Sequence, residues 1–210
     1  MSNIRTIEIP PVQVVIFGVP DVKDEDLVKN IFGNESDLPK YNKVFNRFEG
    51  KIKEGRETRE FVYYLQVFQP NPSAPSKMTE FIKKADGTIF ILDLTNEESF
   101  ELIKSQIEKM GFSAEYFEGH NTILLANKWD DSKIDEVNQE EAKQFAKNIG
   151  LDYVYLSTNK DIKKYLKDKI ISFDKIKIDI ITYNLSRNKG KINANKKSDG
   201  KDSCCMRCVE

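Results

Sequence analysis

Two stretches of this chain hold residue types that do chemistry, and they disagree. Gly18-Val19-Pro20-Asp21-Val22-Lys23-Asp24-Glu25 follows an apolar run and precedes a helical pattern, the setting of a phosphate-binding loop. Such a loop reads G-x-x-x-x-G-K-[ST]: the glycines let backbone N–H groups converge on phosphates, the lysine neutralises charge and the hydroxyl holds Mg2+. Aligned on Gly18, the chain puts Lys23 at the second glycine, Asp24 at the lysine and Glu25 at the hydroxyl. Two unit charges about 4 Å apart interact by about 4 kcal/mol at an effective dielectric of roughly 20. Exchanging an attractive ammonium for a repulsive carboxylate therefore weakens phosphate binding on the order of a thousandfold or more. Asp21, Asp24, Glu25 and Asp26 also have a plainer role, since carboxylates are favoured in the first turn of any helix. Far downstream, Asn127-Lys128-Trp129-Asp130 sets an amide, an ammonium and a carboxylate at the end of another apolar run.

Patterning supplies the elements that must position these groups. Val12 to Phe17 is apolar except for Gln13 and ends in Gly18, as a buried parallel strand does. Asp24 to Phe32 has apolar residues at helical spacing. Asn42 to Lys53 and Glu60 to Phe68 read as two strands joined in a hairpin across Glu54-Gly55-Arg56. Gln69 to Ser76 holds Pro70, Pro72 and Pro75 and is predicted to be loop. Helices are predicted at Met78–Lys84, Glu97–Met110, Gln139–Ile149 and Ile162–Phe173. Strands are predicted at Thr88–Leu94, Asn121–Ala126 and Tyr153–Leu156. Strands alternating with helices call for an α/β fold, a mainly parallel sheet covered on both faces.

Composition sets limits. At 210 residues the chain accommodates one domain with a sizeable core and a tail. Its 33 basic and 34 acidic residues give a formal net charge of -1, which does not suggest nucleic acid. Met1 to Pro11 has no apolar h-region, so no secretory leader is predicted. No run is long and apolar enough to span a membrane. From about Ser186 the sequence turns to Asn, Lys, Gly and Ser, a composition that cannot bury enough apolar surface to fold.

In order and wording the chain resembles the Ras-like small GTPases, and within them the Rab branch. The most specific words are Ala85-Asp86-Gly87-Thr88-Ile89-Phe90-Ile91-Leu92-Asp93-Leu94-Thr95-Asn96-Glu97-Glu98-Ser99-Phe100 and Thr122-Ile123-Leu124-Leu125-Ala126-Asn127-Lys128-Trp129-Asp130. Glu140-Glu141-Ala142-Lys143-Gln144-Phe145-Ala146 and Tyr155-Leu156-Ser157-Thr158-Asn159-Lys160 add to them. The resemblance implies a P-loop NTPase-like three-layer fold with a mainly parallel, six-stranded sheet and one antiparallel edge strand. It implies a domain over 12–175, a short segment over 1–11 and a flexible tail over 176–210. It also assigns roles to the downstream words. Asp130 would accept hydrogen bonds from the two N–H donors on guanine's Watson–Crick edge. Asn127 would contact the base and brace neighbouring loops, and the stem of Lys128 would lie on the ring. Ser157 and Thr158 match a second base-contacting loop, Thr158 standing where the family has alanine and crowding the N–H that meets the guanine oxygen.

The same resemblance exposes further departures. Gln69 stands at the aspartate of the family's Asp-x-x-Gly, Pro72 at its glycine and Ser73 at the water-orienting glutamine. Pro72 has no N–H with which to sense a phosphate. No threonine lies between Asp37 and Glu57 to ligate magnesium from the first switch. All these losses fall on phosphate, metal and water, so no catalytic residue is assigned and GTP hydrolysis is not expected. GTP or GDP remains as a ligand of weak affinity, without Mg2+. The expectation is that side-chain carboxylates occupy the old anion site and that the fold is stable without nucleotide.

All three cysteines, Cys204, Cys205 and Cys208, lie in the last seven residues. Arg187 to Arg207 carries seven basic and two acidic residues, a net charge of +5. Paired cysteines near the terminus resemble the Rab geranylgeranylation site, here Cys204 and Cys205. Two prenyl chains, or one with a basic segment, hold a soluble domain on a membrane. The functional expectation is a lipid-anchored pseudo-GTPase on the cytoplasmic face of endomembranes, with a cytosolic pool. It would bind trafficking effectors or regulators without a GTP switch. Two other readings stand beside it: a divergent but working GTP-binding Rab switch, and a soluble adaptor, never lipidated, that mimics a Rab surface.

Overall fold

A computed structural model describes residues 10–18, 22–32, 38–54, 59–69, 75–128, 133–156 and 159–199. Seven strands form a single sheet: β1 (Val12–Phe17), β2 (Lys40–Asn42), β3 (Arg47–Glu54), β4 (Arg59–Phe68), β5 (Gly87–Asp93), β6 (Thr122–Asn127) and β7 (Asp152–Leu156). Their spatial order is β2-β3-β4-β1-β5-β6-β7. From β4 to β7 every pair is parallel; β3 runs antiparallel to both β4 and β2. The helices are α1 (Asp24–Phe32), α2 (Pro75–Lys84), α3 (Glu97–Met110), α4 (Ala114–Glu118), α5 (Gln139–Asn148) and α6 (Asn159–Asp199).

The central strands are apolar at most positions because both of their faces are covered. Alternation sends Val12, Val14 and Ile16 of β1, Ile89 and Ile91 of β5, and Ile123 and Leu125 of β6 to one face. There they meet Leu27, Val28 and Ile31 of α1 and Ile162, Leu166, Ile170 and Phe173 of α6. Val15 and Phe17, Phe90 and Leu92, and Leu124 and Ala126 go to the other face, against α2, α3 and α5. Phe17 stacks on Phe90 across the β1–β5 pair at a centroid distance of 4.7 Å. Caps fix where the helices begin. The Asn96 side chain accepts from Glu98 N to start α3, and Gly111 ends it in the left-handed region at φ 67. Asn138 accepts from the N–H groups of Glu140 and Glu141 to start α5.

The sheet corrects the sequence-based expectation in two places. It has seven strands rather than six, and the antiparallel strand β3 is not at the edge, because β2 lies outside it. The stretch from Asn42 into β3 is not one strand. It turns back on itself over 43–46, where the Asn42 side chain accepts from the N–H groups of Val44 and Phe45, and Asn46 sits at φ 49. Asparagines at both ends of a short segment are the turn signal that marks this hairpin. The five-residue helix α4, capped by Ser113, was also not foreseen, being too short to show a period.

The chain divides into two compact units, Met1–Asp174 and Lys175–Glu210. The second unit is helical in its backbone from Lys175 to Asp199, where composition predicts a chain without structure from about Ser186. No proline occurs after Pro75, so nothing in α6 breaks the helical path before Gly200.

Close packing leaves no room at Gly87, where a Cβ would lie 2.2 Å from the Phe173 ring. Gly87→Ala is therefore expected to lower the unfolding free energy by about 1–3 kcal/mol through overpacking. A fall in the urea midpoint with an unchanged slope is the reading that checks it.

Candidate functional site

The site that the sequence singles out forms where β1 and β4 end side by side. The two strands pair in register from Val12–Tyr63 to Phe17–Phe68, and Gly18 N then donates to Phe68 O at 2.8 Å. Gly18 is buried, and a Cβ there would fall 2.8 Å from Leu27 Cδ2, so α1 packs where a side chain would be. The helix opens with Leu27 N donating to Lys23 O at 2.8 Å. Lys23 and Glu25 are exposed, and Asp24 is half-buried.

Gln69, the first residue after β4, closes the arrangement. Its side-chain amide donates to Val22 O at 2.6 Å and to Asp24 Oδ1 at 3.0 Å. Two acceptors on that side fix the amide with its nitrogen toward the loop. Gln69 thus ties the end of β4 to the first residue of α1 through an internal hydrogen bond. With lysine at 24, the Gln69 amide would face an ammonium that accepts nothing.

A cleft of about 920 Å³ opens beside this junction. Asp24, Glu25, Asp26 and Glu98 face it, against Lys23 as the one basic lining residue among those described. Val22, Tyr41, Phe48 and Leu102 supply its apolar wall. The described residues of the phosphate half carry more carboxylates than ammonium groups. An incoming phosphate meets four carboxylates and one ammonium, and the half-buried carboxylate nearest the helix start is already engaged by an amide. Among the described residues no group of three or more His, Cys, Asp or Glu side chains is placed to hold a metal ion.

The guanine half is partly within the described residues. Asn127 closes β6 opposite Asp93 of β5 and is fully buried. Its carbonyl accepts from Leu94 N at 2.9 Å, and its side-chain amide donates to Lys128 O at 3.2 Å. Leu94 O in turn accepts from the N–H groups of Glu136 and Val137. Thr95 donates through both N–H and hydroxyl to Asp93 Oδ1, at 2.9 and 2.8 Å. Three loops are thus tied together at the end of the sheet. Lys128 Nζ pairs with Asp135 Oδ1 at 3.3 Å. Asp130, Ser157, Thr158 and Trp129 lie outside the described residues, as do Cys204 and Cys205. The structure therefore brings together Gly18, Lys23, Asp24 and Glu25 in one place and Asn127 with Lys128 in another. Gln69 entered the sequence reading only as a lost aspartate; its pairing with Asp24 was missed because the two are 45 residues apart.

Sheet order, the helices on both faces and the two words at Ala85–Phe100 and Thr122–Asp130 define a small-GTPase-type α/β domain. A sequence profile described as "Ras family" matches residues 76–172. Ras-related protein Rab-27A of Rattus norvegicus is 35% identical over 78 residues, 37% of this chain and 35% of that protein. Ras-related protein Rab-27B of the same species is 27% identical over 115 residues, covering 53% and 52% of the two chains. Ras-related protein Rab-15 of Homo sapiens is 30% identical over 87 residues, 40% of each. The aligned part thus spans between a third and about half the length of these relatives. These findings make the chain similar, over its central and C-terminal strands and helices, to Ras-like small GTPases, Rab proteins among them. The profile match contains the guanine word and leaves out residues 18–25.

Replacing Gln69 by leucine strands Val22 O and the Asp24 carboxylate. A hydrogen bond to a charged group contributes about 1.5–3 kcal/mol, so Gln69→Leu and Asp24→Ala are each expected to destabilise by about that amount. In a double-mutant cycle the two losses are expected to overlap by about 1 kcal/mol. Simple additivity in urea unfolding would show that the contact contributes nothing in solution.

Proposed function

We propose that this chain is a Rab-like pseudo-GTPase: an interaction module, lipid-anchored on the cytoplasmic face of trafficking membranes, that does not cycle with GTP. The observation that carries the reading is the Gln69 amide bonded to Asp24 and Val22 O. It fills with protein the position where a relative's lysine would meet phosphate. The acidic cleft and the first-turn carboxylates of α1 act in the same direction, since they satisfy the positive helix end that otherwise attracts an anion. Partners in this reading are trafficking effectors or regulators that recognise a fixed surface. Membrane attachment rests on Cys204 and Cys205 with the basic segment before them.

A second reading, a divergent GTP-binding switch, draws on Asn127, which is buried at the end of β6 with its loops in order. In it Asp130, Ser157 and Thr158 would still select guanine, and GDP or GTP would bind weakly. A soluble adaptor differs from the first reading only in lacking lipid.

Trp129, the sole tryptophan, sits inside the guanine word and reports on it. Titration of its fluorescence with GDP or GTP, with and without Mg2+, is expected to give no change at millimolar nucleotide. Saturable, magnesium-dependent binding at micromolar nucleotide would establish the switch instead. The triple change Asp24→Lys, Glu25→Ser, Gln69→Asp is expected to gain on the order of a thousandfold in nucleotide affinity by removing the like-charge repulsion.

Expressed in a eukaryotic cell, the wild-type chain is expected in the membrane fraction and the Cys204→Ser/Cys205→Ser variant in the soluble one. A soluble wild-type chain would favour the adaptor.

A further inference from the structure

The turn between β2 and β3 holds Val44 and Phe45, 85% and 57% exposed. This apolar tip is fixed in place. The Asn42 side chain accepts from the N–H groups of both residues. The Phe45 ring lies 4.6 Å from the Arg47 guanidinium, which also stacks on Tyr64 at 3.5 Å. Glu49 pairs with Arg47 at 2.9 Å and accepts from Asn42 Nδ2 at 3.0 Å. An exposed apolar group held this firmly is preorganised for contact, because little ordering entropy is left to lose. From Lys40 to Arg47 the segment has three basic residues and no acidic one, a net charge of +3. Lys40 and Lys43 are exposed.

The cleft beside the hairpin has the opposite charge. Its described lining sets four carboxylates against the ammonium of Lys23, a net charge of -3, around apolar groups that include Tyr41 and Leu102. Hairpin and cleft are neighbours. Phe48 of β3 pairs with Leu65 near the site end of β4, and Tyr41 of β2 lines the cleft with its ring 5.1 Å from Phe48. Val44 and Phe45 are not among the lining residues, so the chain does not fill the cleft with its own tip. A second copy supplies both missing partners at once. In a two-fold pair one surface meets itself, so the tip of each chain contacts the cleft of the other. Charges of +3 and -3 then face each other twice. We propose that two copies of this chain associate about a two-fold axis beside Tyr41, each hairpin tip seated in the other's cleft. Val44 and Phe45 cover the apolar wall there, and Lys40 and Lys43 face Glu25 and Glu98. The pairing rests on the reading of this cleft as free of nucleotide.

The test uses the full chain with Cys204→Ser, Cys205→Ser and Cys208→Ser, so that neither lipid nor a disulfide links two copies. Sedimentation at rising protein concentration is expected to show a monomer–dimer equilibrium that weakens with added salt. Lys40→Glu/Lys43→Glu and, separately, Glu25→Lys/Glu98→Lys are each expected to lower the association constant by about a hundredfold, because like charges then meet. Both variants leave the Asp24–Gln69 contact in place, and their urea midpoints check that each is folded. Mixing the two is expected to restore association. The reversed tip of one then meets the reversed cleft of the other, and the unreversed tip meets the unreversed cleft. Three outcomes would overturn the proposal: a chain that is monomeric at every concentration, a dimer that the reversals leave intact, or folded variants that do not associate on mixing. A dimer that GTP dissociates would support the pairing and overturn the nucleotide-free reading, whereas a nucleotide-free monomer overturns the pairing alone.

Discussion

Much of this domain depends on how β1 and β4 end together. Parallel pairing in register carries both strands to the same level, and Gly18 N then bonds to Phe68 O. That one contact sets where α1 starts and where the chain leaves β4. A side chain at Gly18 would press on Leu27 Cδ2, which would have to shift. The same contact also delivers Gln69 to the mouth of the loop, within reach of Val22 and Asp24. Shifting the register by one residue would turn every apolar side chain of β1 to the wrong face and carry Gln69 away from its partners. The hydrophobic core and the polar junction are therefore products of the same alignment.

The electrostatics of the α1 start follow from what a helix end needs. Its first N–H groups have no partners within the helix, and the end carries a partial positive charge. A nucleotide phosphate can satisfy that end, but so can carboxylates built into the chain. Asp24, Glu25 and Asp26 form the first turn of α1, so negative charge of the chain itself stands at that positive end. A phosphate would have to displace these groups or lie beside them, and the cleft adds Glu98 to the repulsion. Asp24 and Gln69 thus support each other: the amide gives the half-buried carboxylate a donor, and the carboxylate is its second acceptor beside Val22 O.

The sequence displays the parts of the fold that follow a period. β1, β5 and β6 read as apolar runs because both faces of the sheet are covered there, and α3 and α5 read clearly because capping asparagines precede amphipathic patterns. The β2–β3 hairpin did not, since its signal lies in Asn42 and Asn46 and not in any alternation. The reach of α6 to Asp199 was also not legible: composition speaks to burial, whereas continuation of a backbone helix requires only that nothing interrupt it. At the site, each departure from the phosphate-loop pattern was visible residue by residue. Their combination was not, because a contact across 45 residues is fixed by strand register and not by local spacing.

The two halves of the site also answer differently to the loss of a ligand. In the phosphate half, glycine, lysine and hydroxyl serve mainly the bound anion, so a chain that no longer binds one is free to replace them. Asn127 has work that does not involve a base. Its carbonyl holds Leu94, its side chain holds the carbonyl of Lys128, and through Leu94 it fixes the segment at Glu136 and Val137. Lys128 pairs with Asp135 on the same loop system. Replacing Asn127 would remove the side-chain donor to the buried end of β6 at Lys128 O, whereas the main-chain bond to Leu94 would remain with any residue there. The asparagine of the guanine word thus has a local packing role at the end of β6 besides any contact with a base.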